Sequence, residues 1–151
     1  MKILLATDGA KQSDAAIESL KRMLLTDGDE IRIVNVVDMA LPMSIDIYGG
    51  YLPDTTELEK TAREHAAKIL EQTSAKLNAF VDGQKVTVTS EMLFGSPESR
   101  IVETAEEWRA DLVIIGSHGY SRWERLLLGS VSDSVVHHAP CSVLVVRIPP
   151  E

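Results

Sequence analysis

Two short glycine- and serine-containing runs hold the residues whose types and spacing suit binding chemistry. Gly116-Ser117-His118-Gly119 is followed by nine residues and then by Gly129-Ser130-Val131-Ser132. Glycines let a backbone approach a ligand closely and reach positive φ values. Gly129-Ser130 stands where a helix is expected to start, and unpaired N–H groups at a helix start favour an anion. Ser130 and Ser132 add hydroxyl donors. Together these devices suit a phosphorylated ligand. A plainer reading stands beside this one. Ser130-x-x-Asp133 also reads as an N-terminal cap that needs no ligand, Gly116 as a strand end, and Gly119 as a turn.

The elements that must position these runs alternate from end to end. Ile3 to Thr7 is a short apolar run suited to a strand buried on both faces. A helix with Ala16, Ile17, Leu20, Met23 and Leu24 on one stripe follows, stopped by Asp27-Gly28. Ile31 to Val37 is rich in β-branched residues and reads as the second strand. Met39 to Pro53, with Gly49-Gly50 and two tyrosines, is too long for an ordinary connection and suits a functional or interaction segment. Thr56-x-x-Glu59 is a capping box opening the longest helix, whose stripe is Leu58, Ala62, Ala66, Ile69, Leu70, Leu77 and Phe80. Val86 to Met92 is the third strand. Ser96-Pro97 caps and starts a helix carrying Ile101, Val102, Ala105 and Trp108. Leu112 to Ile115 is the fourth strand. A short helix with Val131, Val135 and Val136 precedes Pro140, and Ser142 to Arg147 is the last strand.

Five strands and four helices in strict alternation imply an α/β fold, a parallel sheet with helices on both faces. In such sheets ligands sit beyond the carboxyl ends of the strands. That rule points to Thr7-Asp8, to Val36 through Asp38, and to Gly116 through Gly119.

The ordered pattern Gly116-x2-Gly119-x9-Gly129-Ser130 resembles the nucleotide-binding signature of the universal stress protein family. Leu4-Leu5-Ala6-Thr7-Asp8-Gly9, Val34-Asn35-Val36-Val37-Asp38 and the closing Pro140-Cys141-Ser142-Val143-Leu144-Val145-Val146 resemble other parts of the same family. The resemblance covers essentially the whole chain. It implies one Rossmann-like domain over residues 1–151, of the adenine nucleotide alpha hydrolase kind, with strand order 3-2-1-4-5. It also implies ATP as ligand, because family members with the intact glycine signature bind it. Thr7 and Asp8 would lie at the adenosine moiety, and the backbone of Val36 would meet the adenine edge. Gly116, Ser117, His118 and Gly119 would line the ribose and phosphates, and Gly129, Ser130, Val131 and Ser132 would hold the phosphates. The intervening segment from Tyr120 to Leu128, with Trp123, has its own sequence here.

Charge sets a tension. The chain has 151 residues, 15 Lys and Arg against 23 Asp and Glu, and a net charge of −8. Such a balance argues against nucleic-acid partners, which are gripped by Lys and Arg, and against anionic membranes. A polyanionic ligand must therefore draw on Arg122, Arg125, His118 or Lys11, with Mg²⁺ or Mn²⁺ held mainly by the phosphates. Apolar residues make up 44% of the chain, ordinary for a globular protein. One cysteine, Cys141, excludes an internal disulfide framework and fits a reducing compartment. No apolar run approaches a membrane span, and the first residues do not form a signal peptide. The cytoplasm is the expected location.

The remaining signals read as structural. His137 and His138 suit the negative end of a helix dipole, and adjacent helical residues face different ways. Cys141 and Trp108 fit core packing; Ser13, Asp14 and His65 form no recognisable triad. Val143 to Val146 would be an apolar edge strand, which invites pairing with a second copy of the chain. The alternative is that the tail, with Pro149-Pro150, blocks pairing. The leading expectation is an ATP-binding regulatory protein of stress adaptation, homodimeric, with an unknown downstream partner. A slow ATPase or autophosphorylating enzyme on the same site, and a dimeric scaffold without nucleotide, are the alternatives. No Walker-type loop or kinase signature is present.

Overall fold

The computed structural model describes residues 1–38, 55–117 and 128–147, with the backbone alone at Lys11, Gln12 and Thr55. The elements run β1 (Lys2–Ala6), α1 (Lys11–Lys21), β2 (Glu30–Val37), α2 (Thr55–Phe80), β3 (Thr87–Phe94), α3 (Pro97–Trp108), β4 (Leu112–Gly116), α4 (Ser130–His138) and β5 (Ser142–Val146). Every strand pair is parallel and the order is β3-β2-β1-β4-β5. This is the architecture expected from the alternation and the order implied by the resemblance.

The β1 side chains show why the sheet is sandwiched. Ile3 and Leu5 point to one face and Leu4 and Ala6 to the other, following the two-residue period of a strand. Ile3 and Leu5 join Ile31, Ile33, Ile17, Leu20, Leu70 and Leu77 in one buried cluster, under α1 and α2. Leu4 and Ala6 join Val34, Val113, Ile101, Ala105 and Val135 in a second, under α3 and α4. Central strands buried on both faces read as continuous apolar runs.

Several boundaries fall elsewhere than the sequence suggests. α1 ends at Lys21, so Leu24 leaves the helical stripe and is 89% exposed. Gly28, at φ +89°, turns the chain into β2 instead of capping α1. Its N–H donates to the Lys85 carbonyl, and the buried Asp29 carboxylate accepts from the Thr26 N–H and the Met1 amine. α2 already includes Thr55, which places Thr56 inside the first turn and not before it. Leu58 is 64% exposed, so the buried stripe begins further along, at Ala66. β3 extends to Phe94 because it stays paired with β2 through Val37. The segment from Met39 to Pro53 lies outside the described residues.

Candidate functional site

β1, β2 and β4 all end at one edge of the sheet, facing the first turns of α1, α3 and α4. A cavity of about 290 Å³ opens there, at the lower end of the size range of small-molecule sites. Its walls include Thr7 and Asp8 after β1, Val36 on β2, Gly116 and Ser117 at β4, and Gly129, Ser130, Val131 and Ser132 at the start of α4. Nine of the residues singled out from the sequence therefore converge on one space, though they span 126 positions of chain, from 7 to 132. His118, Gly119 and Arg122 lie outside the described residues, as do Trp123 and Arg125.

The apolar side of the cavity comes from Ala6, Val34, Val36, Ile101 and Ile115, continuous with the core under α3. The polar side is built by a hydrogen-bond network. Of eight buried polar residues among those described, four line the cavity, Thr7, Ser13, Ser117 and Ser132, and a fifth, Asn35, bonds to Thr7 from β2. Burying a polar group costs free energy unless it is paired, so this concentration marks where the fold holds backbone in place. The Asn35 amide donates to the Thr7 carbonyl at 2.7 Å. The Thr7 hydroxyl accepts from the Gly9 N–H at 3.2 Å. Asp8 Oδ1 accepts from the Ala10 N–H at 2.9 Å and from the Ser13 hydroxyl at 2.7 Å, while the Asp8 N–H donates to Ser13 Oγ at 3.2 Å.

A second group of bonds ties β4 to α4. The Ser117 N–H donates to the Val146 carbonyl, continuing the β4–β5 ladder. The Ser117 carbonyl accepts from the Gly129 N–H at 2.8 Å and from the Ser132 hydroxyl at 2.9 Å. Ser132 also lies 3.0 Å from the Gly129 carbonyl. Its single hydroxyl hydrogen is thus directed at main-chain carbonyls, and the oxygen lone pairs are what it can offer to a ligand. Residues 117 and 129, which bracket the run between the two glycine motifs, are held together by these bonds.

The glycines act differently from the expectation. Gly116 closes β4 in register with Val146, and Gly129 is extended at φ −63°, ψ 156°. Neither works through positive φ. Gly129, and not Ser130, is the N-cap of α4, and among the described residues no side-chain cap bond is made there. The reading of Ser130-x-x-Asp133 as a self-sufficient cap therefore fails. The first-turn N–H groups of α4, which the helix itself cannot satisfy, border the cavity. At α3, Ser96 stands at the N-cap position without capping through its side chain. Instead the Glu98 carboxylate is held below its ordinary pKa by the Ser96 hydroxyl and by its own N–H.

Sequence reasoning did not assign Ser13, Pro97 and Ile101 to the site, nor the apolar liners Ala6, Val34 and Ile115, nor Asn35, which holds the Thr7 carbonyl behind it. Ser13 and Asn35 carried a legible signal. One is a serine in the first turn of α1, and the other is an amide within the apolar run from Ile33 to Val37 of β2. Pro97 and Ile101 had none beyond their helical stripe. Asp8 is the one charged side chain lining the cavity among the described residues.

Comparison with known proteins agrees with this architecture. The model of the universal stress protein family matches residues 1–147. A Staphylococcus aureus (strain USA300) protein named for that family is 35% identical over 146 residues, covering 96% of this chain and 82% of the relative. A universal stress family protein of Arabidopsis thaliana, solved with AMP bound, superposes with a TM-score of 0.70 at 17% identity, covering 99% of this chain and 92% of its own. A universal stress protein solved in complex with cAMP gives 0.64 at 22% identity, with 97% and 96% covered. Fold, element order and a family match over nearly the full length agree, and the chain belongs to the universal stress protein family.

Proposed function

We propose that the cavity binds an adenine nucleotide, ATP with Mg²⁺, and that the protein is a cytoplasmic regulator of stress adaptation working through nucleotide-dependent conformation or partner choice. The carrying observation is the cavity itself: an apolar slot at the carboxyl ends of β1, β2 and β4, with the uncapped first turn of α4 at one side. The slot suits a base, and helix N–H groups suit phosphate oxygens. Solved family members with AMP and with cAMP support the same ligand class.

In this reading Val36 meets the adenine edge, Thr7 and Asp8 meet the adenosine moiety, and Gly116 and Ser117 border the ribose and phosphates. The N–H groups of Ser130, Val131 and Ser132 take the phosphates. His118, Gly119, Arg122 and Arg125 complete that side. No cluster of three or more His, Cys, Asp or Glu suited to a metal occurs among the described residues, so the phosphates would supply most of the ligands to Mg²⁺. The described lining carries one acid and no base, and in this reading Arg122, Arg125, His118 or Lys11 would supply positive charge for the phosphates. The exposed Leu144 on β5 supports a homodimer through that strand. No described helix is long and apolar enough to cross a membrane.

Thermal unfolding with and without Mg-ATP tests the reading. Ligand at about 100 times its dissociation constant stabilises a native state by about 2.7 kcal/mol, a shift of several degrees. The expected result is a clear rise with ATP, smaller with AMP and absent in Gly119→Val. No rise at millimolar ATP would sink it. Arg122→Ala/Arg125→Ala should weaken ATP by about tenfold, the worth of a charge-assisted hydrogen bond, and leave adenosine affinity nearly unchanged.

A further inference from the structure

Ser13 lies on α1, outside both glycine runs, and is only 5% exposed. A buried hydroxyl needs partners, and both of its hydrogen bonds are to Asp8. It donates to Asp8 Oδ1 at 2.7 Å and accepts from the Asp8 N–H at 3.2 Å. The two bonds close a ring through one residue, fixing backbone and side chain of Asp8 at once. The Ala10 N–H adds a second donor to the same oxygen. Oδ1 thus has two donors at good distance, about its full capacity, and the plane of the carboxylate is set by the protein before any ligand arrives.

The rest of the turn is equally constrained. Asn35 holds the Thr7 carbonyl from β2. Gly9 adopts φ +77°, and a Cβ there would lie 2.9 Å from Ile69 Cδ1 and Cγ1. The chain therefore passes Asp8 along a single path, tied to the sheet through Asn35 and to α1 through Ser13. A prearranged polar group binds better because less ordering remains to be done on association.

We propose that Ser13 is a positioning residue of this site: it aims the Asp8 carboxylate into the cavity for the hydroxyl or amino donors of a nucleoside, without touching the ligand itself. The proposal rests on the nucleotide reading above.

The test is a double-mutant cycle on Mg-ATP dissociation constants, measured by titration calorimetry on wild type, Ser13→Ala, Asp8→Ala and the double variant. Ser13→Ala should weaken binding about three- to tenfold, the usual worth of one hydrogen bond. The double variant should bind no more than about twofold weaker than Asp8→Ala alone, since coupled residues are not additive. Ser13→Cys, similar in size with a weak thiol donor, should fall between wild type and Ser13→Ala, and it carries the test if Ser13→Ala does not fold. A merely structural serine would lower the unfolding midpoint of the apoprotein and leave the dissociation constant within about twofold of wild type. That result overturns the role of Ser13 while the nucleotide reading stands. Multiplicative effects in the cycle overturn it in the same way. Wild-type protein that binds no ATP overturns both.

Discussion

At the scale of single residues, the polar side chains that matter most are spent on the backbone. Gly9 is a sharp case. Its φ of +77° and the 2.9 Å approach of Ile69 leave no room for a side chain. Gly9→Ala should cost about 1–3 kcal/mol, read by urea unfolding, and should weaken ATP binding because the strain falls on the turn that carries Asp8. Asp29 offers a pH test at the opposite edge of the sheet. Its carboxyl is held below the ordinary value of 3.8 by the Met1 amine and the Thr26 N–H. A depressed folded pKa stabilises above the unfolded value, and that stability is lost as pH falls through the folded one. The Met1 amine is raised above its ordinary 8.0 by the same contact, so its share is complete below that value and fades as pH rises through the folded pKa. Asp29→Asn should therefore lower stability near neutral pH and lower it less in acid, where the wild-type carboxyl is itself protonated. Chemical denaturation from pH 7 down to about 3 measures this.

At the scale of elements, the local sequence carried most of the fold, and its failures have definite causes. β1, β2 and β4 were legible because strands buried on both faces are nearly uniform in apolar character. The start of α4 was legible as a helix N-terminus, although Gly129 and not Ser130 holds the cap. β3 ran two residues beyond its apparent end, since its length is set by pairing with Val36 and Val37 and not by its own residues. Leu24 matched a helical period and yet lies outside α1, because period alone does not say where a helix stops. Nine of the cavity-lining residues were singled out by glycine and serine spacing and by the strand-end rule. Ser13 and Asn35 were passed over despite their polar character in apolar surroundings, because each acts through another residue, Ser13 through Asp8 and Asn35 through Thr7. The α3 N-terminus adds a prediction at this scale. Glu98 sits in the first turn of α3, where its carboxyl is held below the ordinary value by the Ser96 hydroxyl and its own N–H. Glu98→Gln should cost about 0.5–1 kcal/mol at pH 7, in keeping with a helix-terminal carboxylate. The loss should disappear as pH falls through the folded pKa of Glu98, below its ordinary 4.5. Thermal midpoints of the two proteins across that range decide it.

At the scale of the molecule, the two cores and the cavity follow from one arrangement. Each sheet face needs its own helical cover, so α1 with α2 and α3 with α4 fall on opposite sides. The carboxyl ends of the central strands then open between helix starts from both layers, and the cavity takes Ser13 from one layer and Ser132 from the other. The sheet has two outer strands, β3 and β5. They are managed differently. β3 carries Thr87, Thr89, Ser90 and Glu91, a polar set that discourages pairing with another chain. β5 carries Val143, Leu144, Val145 and Val146 without a charge, and Leu144 is 37% exposed. Val143 and Val145 pack toward the α3–α4 core and Val146 into the α1–α2 core, whereas Leu144 belongs to neither cluster. A second copy of the same strand would cover it, in a two-fold, self-complementary contact. If the proposed homodimer forms through β5, Leu144→Lys should turn it into a monomer while shifting stability of the protomer by no more than about 0.5 kcal/mol, as for other surface changes. Sedimentation of both proteins at micromolar concentration, with urea unfolding alongside, reads the two effects separately. A wild type that sediments as a monomer, or a Leu144→Lys variant that remains a dimer, would place the contact elsewhere or remove it.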